Sequence, residues 1–405
     1  MLRAIPHLPP RQDWRISRAS RIREIVGGDE YDSNLVRIGP LHRRDARWDY
    51  GFVVAIKMLH LRSLILRGHA SSEESEVVTK YLRCIEGMAD ATLQRYDAQE
   101  CHFADPKELV EMMVFDGCFI IEVIIKYWMG KTREYLPPLD IDFVESDLIL
   151  FENQIPFFIL EELFSITVVP ELATEGGGRE LLKNLALFYL TRGAAKQVPE
   201  GYNGPIYHLL HLLHISLCVP PQVPSPLVFM PRKMKLLWRV MRRRSRAASV
   251  SWLLWKVMPP ARELQRLGVR FKPKMTHQFA NVTFDDRNGT LEIPPLSCSQ
   301  FHRRLASNLV AMELEQSWPS TERHFCSYAM FLKELITTEE DVAMLVDRRI
   351  LVCSVQEGWR GVQHFASLAR LNLGGEYQRH FEELIRAVNR YYEHASKAMR
   401  AVYFC

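Results

Sequence analysis

The sequence has little of what marks a secreted, zinc-binding or nucleic-acid-binding protein. Its eight cysteines are scattered along 405 residues, with no CxxC pair and no dense framework. That spacing excludes a disulfide-rich scaffold or a zinc finger and is typical of reduced thiols in an intracellular protein. The 52 Lys and Arg nearly balance the 48 Asp and Glu, for a net charge of +4. No whole-molecule field therefore draws the chain onto nucleic acid, which we consider an unfavoured partner.

Uninterrupted apolar runs are also short. The most apolar internal stretch, residues 110–128, contains Asp116, Glu122 and Lys126. A bilayer-spanning helix would have to desolvate these charges, so we interpret the stretch as a core helix. Prolines break the N-terminal segment before an apolar run of signal-peptide length develops. We therefore expect no secretory signal and no transmembrane helix in this chain, and a cytoplasmic location or a peripheral one at the plasma membrane.

The common catalytic and metal-binding motifs are missing. The sequence has no GxSxG elbow, no P-loop and no HExxH, and its glycine cluster at 176–178 lacks the strand-to-helix context of a phosphate-binding loop. His208, His211 and His214 recur every third residue, so on a helix the third would lie about 120° from the first. Ordinary packing explains that spacing better than metal binding. We predict no catalytic residue, no metal and no cofactor.

The sequence does contain strong helix patterns. Asp105, Pro106 and Glu108 form a helix start, and the helix should run to about Trp128. Apolar residues alternate in steps of four and three from Tyr377 onward, which predicts a long final helix with a narrow apolar seam. Alternating residues around an Asn-Gly pair predict a small β-hairpin near 282–293. The fold class is therefore mainly α: a multi-helix globular fold with one small hairpin.

The clearest interruption of the helical pattern divides the chain. We predict an N-terminal extension at 1–30, a helical first half at 31–218, a proline-rich then basic excursion at 219–256, and a second half at 257–405 packed on the first as one unit. The basic residues of the excursion form a candidate contact surface: Arg232, Lys233, Lys235, Arg239, Arg242, Arg243, Arg244 and Arg246. The run is either solvated, which is the commonest case, or contacts an anionic membrane surface or an acidic partner.

Acidic residues offer an alternative, enzymatic interpretation. Asp116, Asp140, Asp142, Asp147 and Glu152 could supply paired carboxylates for acid/base or metal chemistry, although spacing alone cannot show that they converge. Catalysis by this set predicts a pocket that gathers Asp116 and Glu152 with His42 or His208, with strongly perturbed pKa values.

Several blocks of the sequence resemble one plant family. VRIGPLH at 36–42, DGCFI at 116–120 and FENQIPFF at 151–158 are followed by ARELQRLGVRFK at 261–272, GTLEIPPL at 289–296 and TEEDVAML at 338–345. Together they are similar to the plant family called domain of unknown function 247, also known as uncharacterised protein family 0481. The motif residues that we expect to be structural are Gly39, Pro40, His42, Asp116, Gly117, Glu152, Asn153, Gln154 and Pro156.

The resemblance says little about the molecular function. Some grass members resemble determinants of pollen self-incompatibility, which implies recognition of an unidentified protein partner and no known reaction. Members usually have paired histidines where this chain has His42 and Arg43, and they commonly continue into a C-terminal membrane helix. We expect a non-enzymatic protein–protein recognition or signalling protein, which peripheral membrane association would also fit. The alternative is an enzyme of unknown reaction that uses acidic residues near Asp116 and Glu152. The C-terminal seam either packs internally, which we favour, or forms a homodimer.

The FENQIPFF block should act as a scaffold. We expect its aromatic side chains to pack into the core, while Asn153 and Gln154 satisfy buried backbone groups beside Pro156.

Overall fold

A computed structural model gives the structure of residues 14–27, 29–42, 50–67, 74–101, 103, 105–130, 141–172, 178–199, 202–218, 257–316, 318, 323–371 and 380–403. The candidate basic surface at 232–246 lies outside the described residues, as do Asp140 and most of the glycine cluster at 176–178.

Helices dominate the described residues, which confirms the predicted mainly-α class. In chain order the helices are α1 (Ser20–Val26), α2 (Tyr50–Leu66), α3 (Glu74–Glu86), α4 (Ala89–Leu93), α5 (Pro106–Trp128), α6 (Ile141–Leu148), α7 (Phe157–Ile166), α8 (Arg179–Leu190), α9 (Leu209–Cys218), α10 (Ala261–Arg266), α11 (Gln300–Glu315), α12 (His324–Leu335), α13 (Glu339–Asp347), α14 (Val355–Arg370) and α15 (Glu382–Tyr403). Short 3-10 turns occupy Pro40–His42 and Pro170–Leu172. The strands are β1 (Arg270–Pro273), β2 (Thr283–Asp285), β3 (Thr290–Ile293), β4 (Leu296–Ser297) and β5 (Leu351–Val352).

The chain divides into two compact units. The first lies within Met1–Leu217 and Ser299–Pro319, and the second within Cys218–Cys298 and Ser320–Cys405. Helix α11 thus belongs to the first unit, although its sequence follows the strands of the second. The proposed boundary at 219–256 stays a prediction.

Helix α5 is the centre of the first unit. Asp105 caps its start by accepting a hydrogen bond from the Lys107 amide, and Pro106 occupies the first helical position, as predicted. Helices α2, α3, α7 and α8 pack around it, so its apolar residues are buried on all sides. Gly117 allows α7 to approach closely, because a Cβ there would lie 2.3 Å from Leu163 Cδ1.

The second unit contains the predicted hairpin. Strands β2 and β3 pair antiparallel, with Asp285 opposite Thr290, and Gly289 in the turn has a φ of 60°. Strand β1 adds a parallel pairing to β3, so the sheet order is β1–β3–β2. Sequence patterns did not predict that strand.

The predicted long C-terminal helix is confirmed as α15. Ile385 and Val388 of this helix, and Phe381 just before it, are buried within the second unit. Further along, the Tyr391 ring packs edge-on against Phe284 of the hairpin, with centroids 5.7 Å apart. Homodimerisation through this helix stays a prediction.

The structure also bears on membrane insertion. None of the helices in the described part of the chain combines the length and the apolar character that a bilayer span needs.

Candidate functional site

Three motifs that are far apart in sequence meet in the first unit. The Gly39 amide donates to Asp116 Oδ2 over 2.7 Å, and the Ile38 amide donates to Asn153 Oδ1 over 2.6 Å. Asn153 Nδ2 donates in turn to the carbonyls of Val36 and Asp147, at 3.0 and 2.9 Å. The backbone of residues 36–39 is therefore held by side chains from α5 and from the loop that precedes α7.

Asp147 fixes the start of the same segment. Its buried carboxylate accepts hydrogen bonds from three successive amides, those of Asn34, Leu35 and Val36, over 2.7, 2.7 and 2.8 Å. Burial raises the pKa of Asp147, while these amides and the nearby Arg304 guanidinium oppose the rise. A carboxylate that binds three amides rigidly orders the chain around it.

Glu152 and Gln154 extend this network in two directions. Glu152 accepts the Ala19 amide and two N–H groups of Arg23, at 2.8–3.0 Å. Gln154 Nε2 donates to two carbonyls of the loop at 2.8 Å, and Gln154 Oε1 accepts the Leu210 amide. Asn153 and Gln154 thus bond buried backbone groups, as the sequence led us to expect. Their side chains are fully engaged in holding loops together.

Beside this network lies a cavity of about 420 Å³ between residues 33–42, α2 and α5. Its lining combines apolar side chains with three charged ones. The lining residues are Ser33, Asn34, Leu35, Arg37, Gly39, His42, Phe52, Val53, Val54, Lys57, Met112, Phe115 and Asp116.

Lys57 is the central polar group of the cavity wall. Its ammonium pairs with Asp116 Oδ1 and donates to the carbonyl of Arg37. The Lys57 side chain is 14% exposed and that of Asp116 only 3%. Since Asp116 also receives the Gly39 amide, both of its oxygens are engaged.

Helix α2 presents an exposed apolar face next to the cavity. Twelve large apolar side chains are exposed in the residues that the structure describes, and five of them belong to α2: Phe52, Val54, Met58, Leu59 and Leu66. Its opposite face is buried at His60, Leu61 and Leu64, because α2 packs on α5. We define the five exposed residues as the α2 face.

Neither Lys57 nor the α2 face was predicted from the sequence. The sequence of residues 50–66 does show an unusual helix, because its apolar residues occur on nearly every side. Such a helix is normally buried all round. Which side remains exposed depends on packing that the sequence does not reveal.

The residues of the enzymatic interpretation do not all line this cavity. His42 and Asp116 both line it, whereas Glu152 bonds Ala19 and Arg23, and His208 does not line it either.

The three histidines lie buried in another part of the first unit. His211 stacks on Tyr207 with centroids 4.3 Å apart, and His214 Nε2 lies 2.7 Å from Glu313 Oε1. Burial, with a smaller contribution from His214, lowers the pKa of His208 to about 3. His208 is therefore neutral at physiological pH.

Comparison with known proteins identifies relatives but no reaction. The model of a family described as plant protein of unknown function, DUF247, matches residues 16–404. The UPF0481 protein At3g47200 of Arabidopsis thaliana is 24% identical over 331 residues, which are 80% of this chain and 65% of that protein. The putative UPF0481 protein At3g02645 of the same plant is 28% identical over 141 residues, 33% of this chain and 25% of that protein. The chain thus spans less than two thirds of either relative, and no solved structure matches it.

Proposed function

Because this chain belongs to DUF247, a family of plant proteins of unknown function, we propose a function from its geometry: non-enzymatic recognition of a protein partner through the α2 face. The observation that carries the proposal is the clustering of exposed apolar side chains on one helix. Leu59 is 66% exposed and Val54 50%. Single exposed apolar residues are common, but a contiguous patch of them on a folded surface typically marks a binding site.

The composition of the α2 face suits a protein partner. Phe52 and Met58 are of the residue types enriched at the centre of protein interfaces. Arg62, which is also exposed on α2 and pairs with Glu74, adds one charged side chain among them.

The buried polar network supports this proposal by providing a rigid base. Asp116, Asp147 and Glu152 each bind backbone amides of residues 19–39. Fixing these loops fixes one wall of the cavity beside α2. A carboxylate held by several donors is suited to ordering a surface and is poorly placed to take up a proton from a substrate.

Peripheral membrane association is the second candidate. It rests on the sequence pattern at 232–246, where Met234, Leu237, Trp238 and Met241 can share one helical face while basic residues occupy the other. Co-sedimentation with anionic liposomes tests it, with Arg242, Arg243, Arg244 and Arg246 changed to Ser in the comparison variant. Salt-sensitive binding that the variant loses would support this candidate, and equal behaviour of both proteins would remove it.

Site-specific photo-cross-linking tests the main proposal. A benzophenone amino acid replaces Leu59 on the α2 face and, in a matched protein, Val352 of β5, which is 57% exposed. After irradiation in plant cells, we expect a discrete cross-linked partner from position 59 that position 352 does not give. Identical patterns from the two positions, or none from position 59, would contradict recognition through the α2 face.

A further inference from the structure

Lys57, which lines the cavity, has one N–H donor without a partner among the described residues. A lysine ammonium carries three N–H donors. Among the described residues, the partners of Lys57 are Asp116 Oδ1 and the Arg37 carbonyl, which take two of them. The third donor belongs to a side chain that lines the cavity.

The charged side chains of the lining favour an anion over a cation. They are those of Lys57, Arg37 and Asp116. Lys57 pairs with one Asp116 oxygen and the Gly39 amide binds the other, so both oxygens of this carboxylate are engaged. An incoming anion can accept the remaining N–H of Lys57, whereas an incoming cation would compete with Lys57 for a carboxylate that is already bound.

The rest of the lining is mostly apolar, with Ser33, Asn34 and His42 as its other polar residues, and it suits a small organic body. Phe52 and Phe115 contribute two aromatic rings, and Met112 adds an adaptable thioether. The volume of about 420 Å³ falls within the range of roughly 300–1,000 Å³ that is common for small-molecule sites. Most small-molecule sites are lined mainly by apolar side chains, with a few polar groups that fix the orientation of the ligand.

We propose that this cavity binds a small amphipathic carboxylate. Its apolar body packs against the Phe52, Met112 and Phe115 side chains, and its carboxylate accepts the third N–H of Lys57. No covalent step is involved. This inference goes beyond partner recognition by the α2 face and does not depend on it, since either can fail while the other stands.

Matched pairs of ligands test the proposal by isothermal titration at pH 7. The probes are 1-naphthylacetate against 1-naphthylacetamide, and decanoate against decanamide, so that each pair differs mainly in charge. A charge-assisted hydrogen bond in a partly buried site should make the carboxylate of at least one pair bind about tenfold more tightly than its amide. Preference for the ring pair or the chain pair identifies the kind of apolar body that the cavity accepts.

Variants distinguish the cavity from nonspecific apolar binding. Val53→Trp fills part of the cavity from α2 and should abolish binding, whereas Val168→Trp makes the same change at a residue that is 47% exposed and does not line it. Lys57→Arg keeps the cation and should retain the preference for the carboxylate. Lys57→Met should bring the carboxylate and the amide to equal affinity.

Three results would overturn the assignment. The first is that wild type binds neither carboxylate up to its solubility limit. The second is that each amide binds as tightly as its acid. The third is that Val53→Trp binds like wild type. Lys57→Met could unfold because it leaves the Asp116 carboxylate buried without its cation; the Val53→Trp and Lys57→Arg proteins then decide the question.

Discussion

Two regions of the first unit depart from ordinary burial in opposite directions. Around Asp147 and Asn153, charged and polar groups are buried, and each hydrogen bond that they make is to another part of the same chain. On the α2 face, apolar groups remain exposed, with Leu59 two-thirds accessible. Folding explains the first departure, because loops without regular structure need partners for their amides. Folding does not explain the second, and we propose that binding does.

The largest effect should come from removing the amide that joins the polar network. Asn153→Ala deletes hydrogen bonds to the Ile38 amide and to the Val36 and Asp147 carbonyls, all of them buried. We expect the free energy of unfolding to fall by about 4 kcal/mol, measured by urea denaturation. Asn184→Ala on α8, at a half-buried position, is the control and should change it by less than about 0.5 kcal/mol. If the two variants were equally stable, the hydrogen bonds of Asn153 would not contribute to the stability of the fold.

The next effect tests how closely the loops approach. Gly39 has a φ of 73°, and a Cβ there would lie 2.7 Å from the Gln154 carbonyl oxygen. Gly39→Ala should therefore reduce the free energy of unfolding by about 3 kcal/mol, through backbone strain and overpacking together.

A second glycine separates these two causes. Gly27 has a φ of 105°, and a Cβ added there would meet no atom within 4 Å. Gly27→Ala should show backbone strain without overpacking, a loss of about 2 kcal/mol in the free energy of unfolding by urea denaturation, because its φ of 105° and ψ of 156° lie in a region that only glycine adopts readily. If both variants lost the same amount, close approach at Gly39 would play no part.

Glu152→Gln distinguishes a scaffold from a catalyst. The change keeps the shape of the side chain but removes the charge that Arg23 and the Ala19 amide bind. We expect a loss of about 2 kcal/mol in the free energy of unfolding, by the same urea measurement, because Arg23 then loses its buried anionic partner and keeps only the exposed Asp32. Partner cross-linking from position 59 should survive wherever the variant is folded. A variant of wild-type stability that had lost a measurable activity would favour the enzymatic alternative.

Acid should destabilise the protein through His208. Its folded-state pKa is lowered to about 3 by burial, well below the ordinary 6.5. As the pH falls below 6.5, His208 therefore takes up a proton in the unfolded chain but not in the folded one. The free energy of unfolding decreases over that pH range. His208→Asn should lack this component. Between pH 6.5 and 5 we expect wild type to lose about 1.6 kcal/mol more in total than the variant, measured by urea denaturation, because the unfolded histidine is only half protonated at pH 6.5. Parallel pH profiles would contradict a neutral buried His208.

Local chemistry made part of this molecule predictable from its sequence. Asp105 and Pro106 set the start of α5, and the Asn288–Gly289 pair set the hairpin, because capping and turn formation involve neighbours in the chain. The parallel pairing of β1 with β3 joins residues 20 apart and has no comparable local pattern. The meeting of Gly39 with Asp116 spans 77 residues, so the motifs identified the participants but not their contacts.

The candidate site was harder to predict than the secondary structure, because its contacts also join residues that are far apart in the sequence. Lys57 is one polar residue in an apolar helix, and its importance comes from Asp116 and Arg37, which other segments bring to it. Exposure of the α2 face likewise depends on which helices cover α2, and periodicity within residues 50–66 does not determine that.

The most direct measurement of the central claim is the stability of a protein in which the α2 face is made polar. Met58 and Leu59 are 47% and 66% exposed, so in Met58→Ser/Leu59→Ser we expect the free energy of unfolding in urea to stay within about 0.5 kcal/mol of wild type. Partner capture through this face should be lost. A fall of more than about 2 kcal/mol would show that the α2 face is packed within the protein itself, and would contradict its role in recognition.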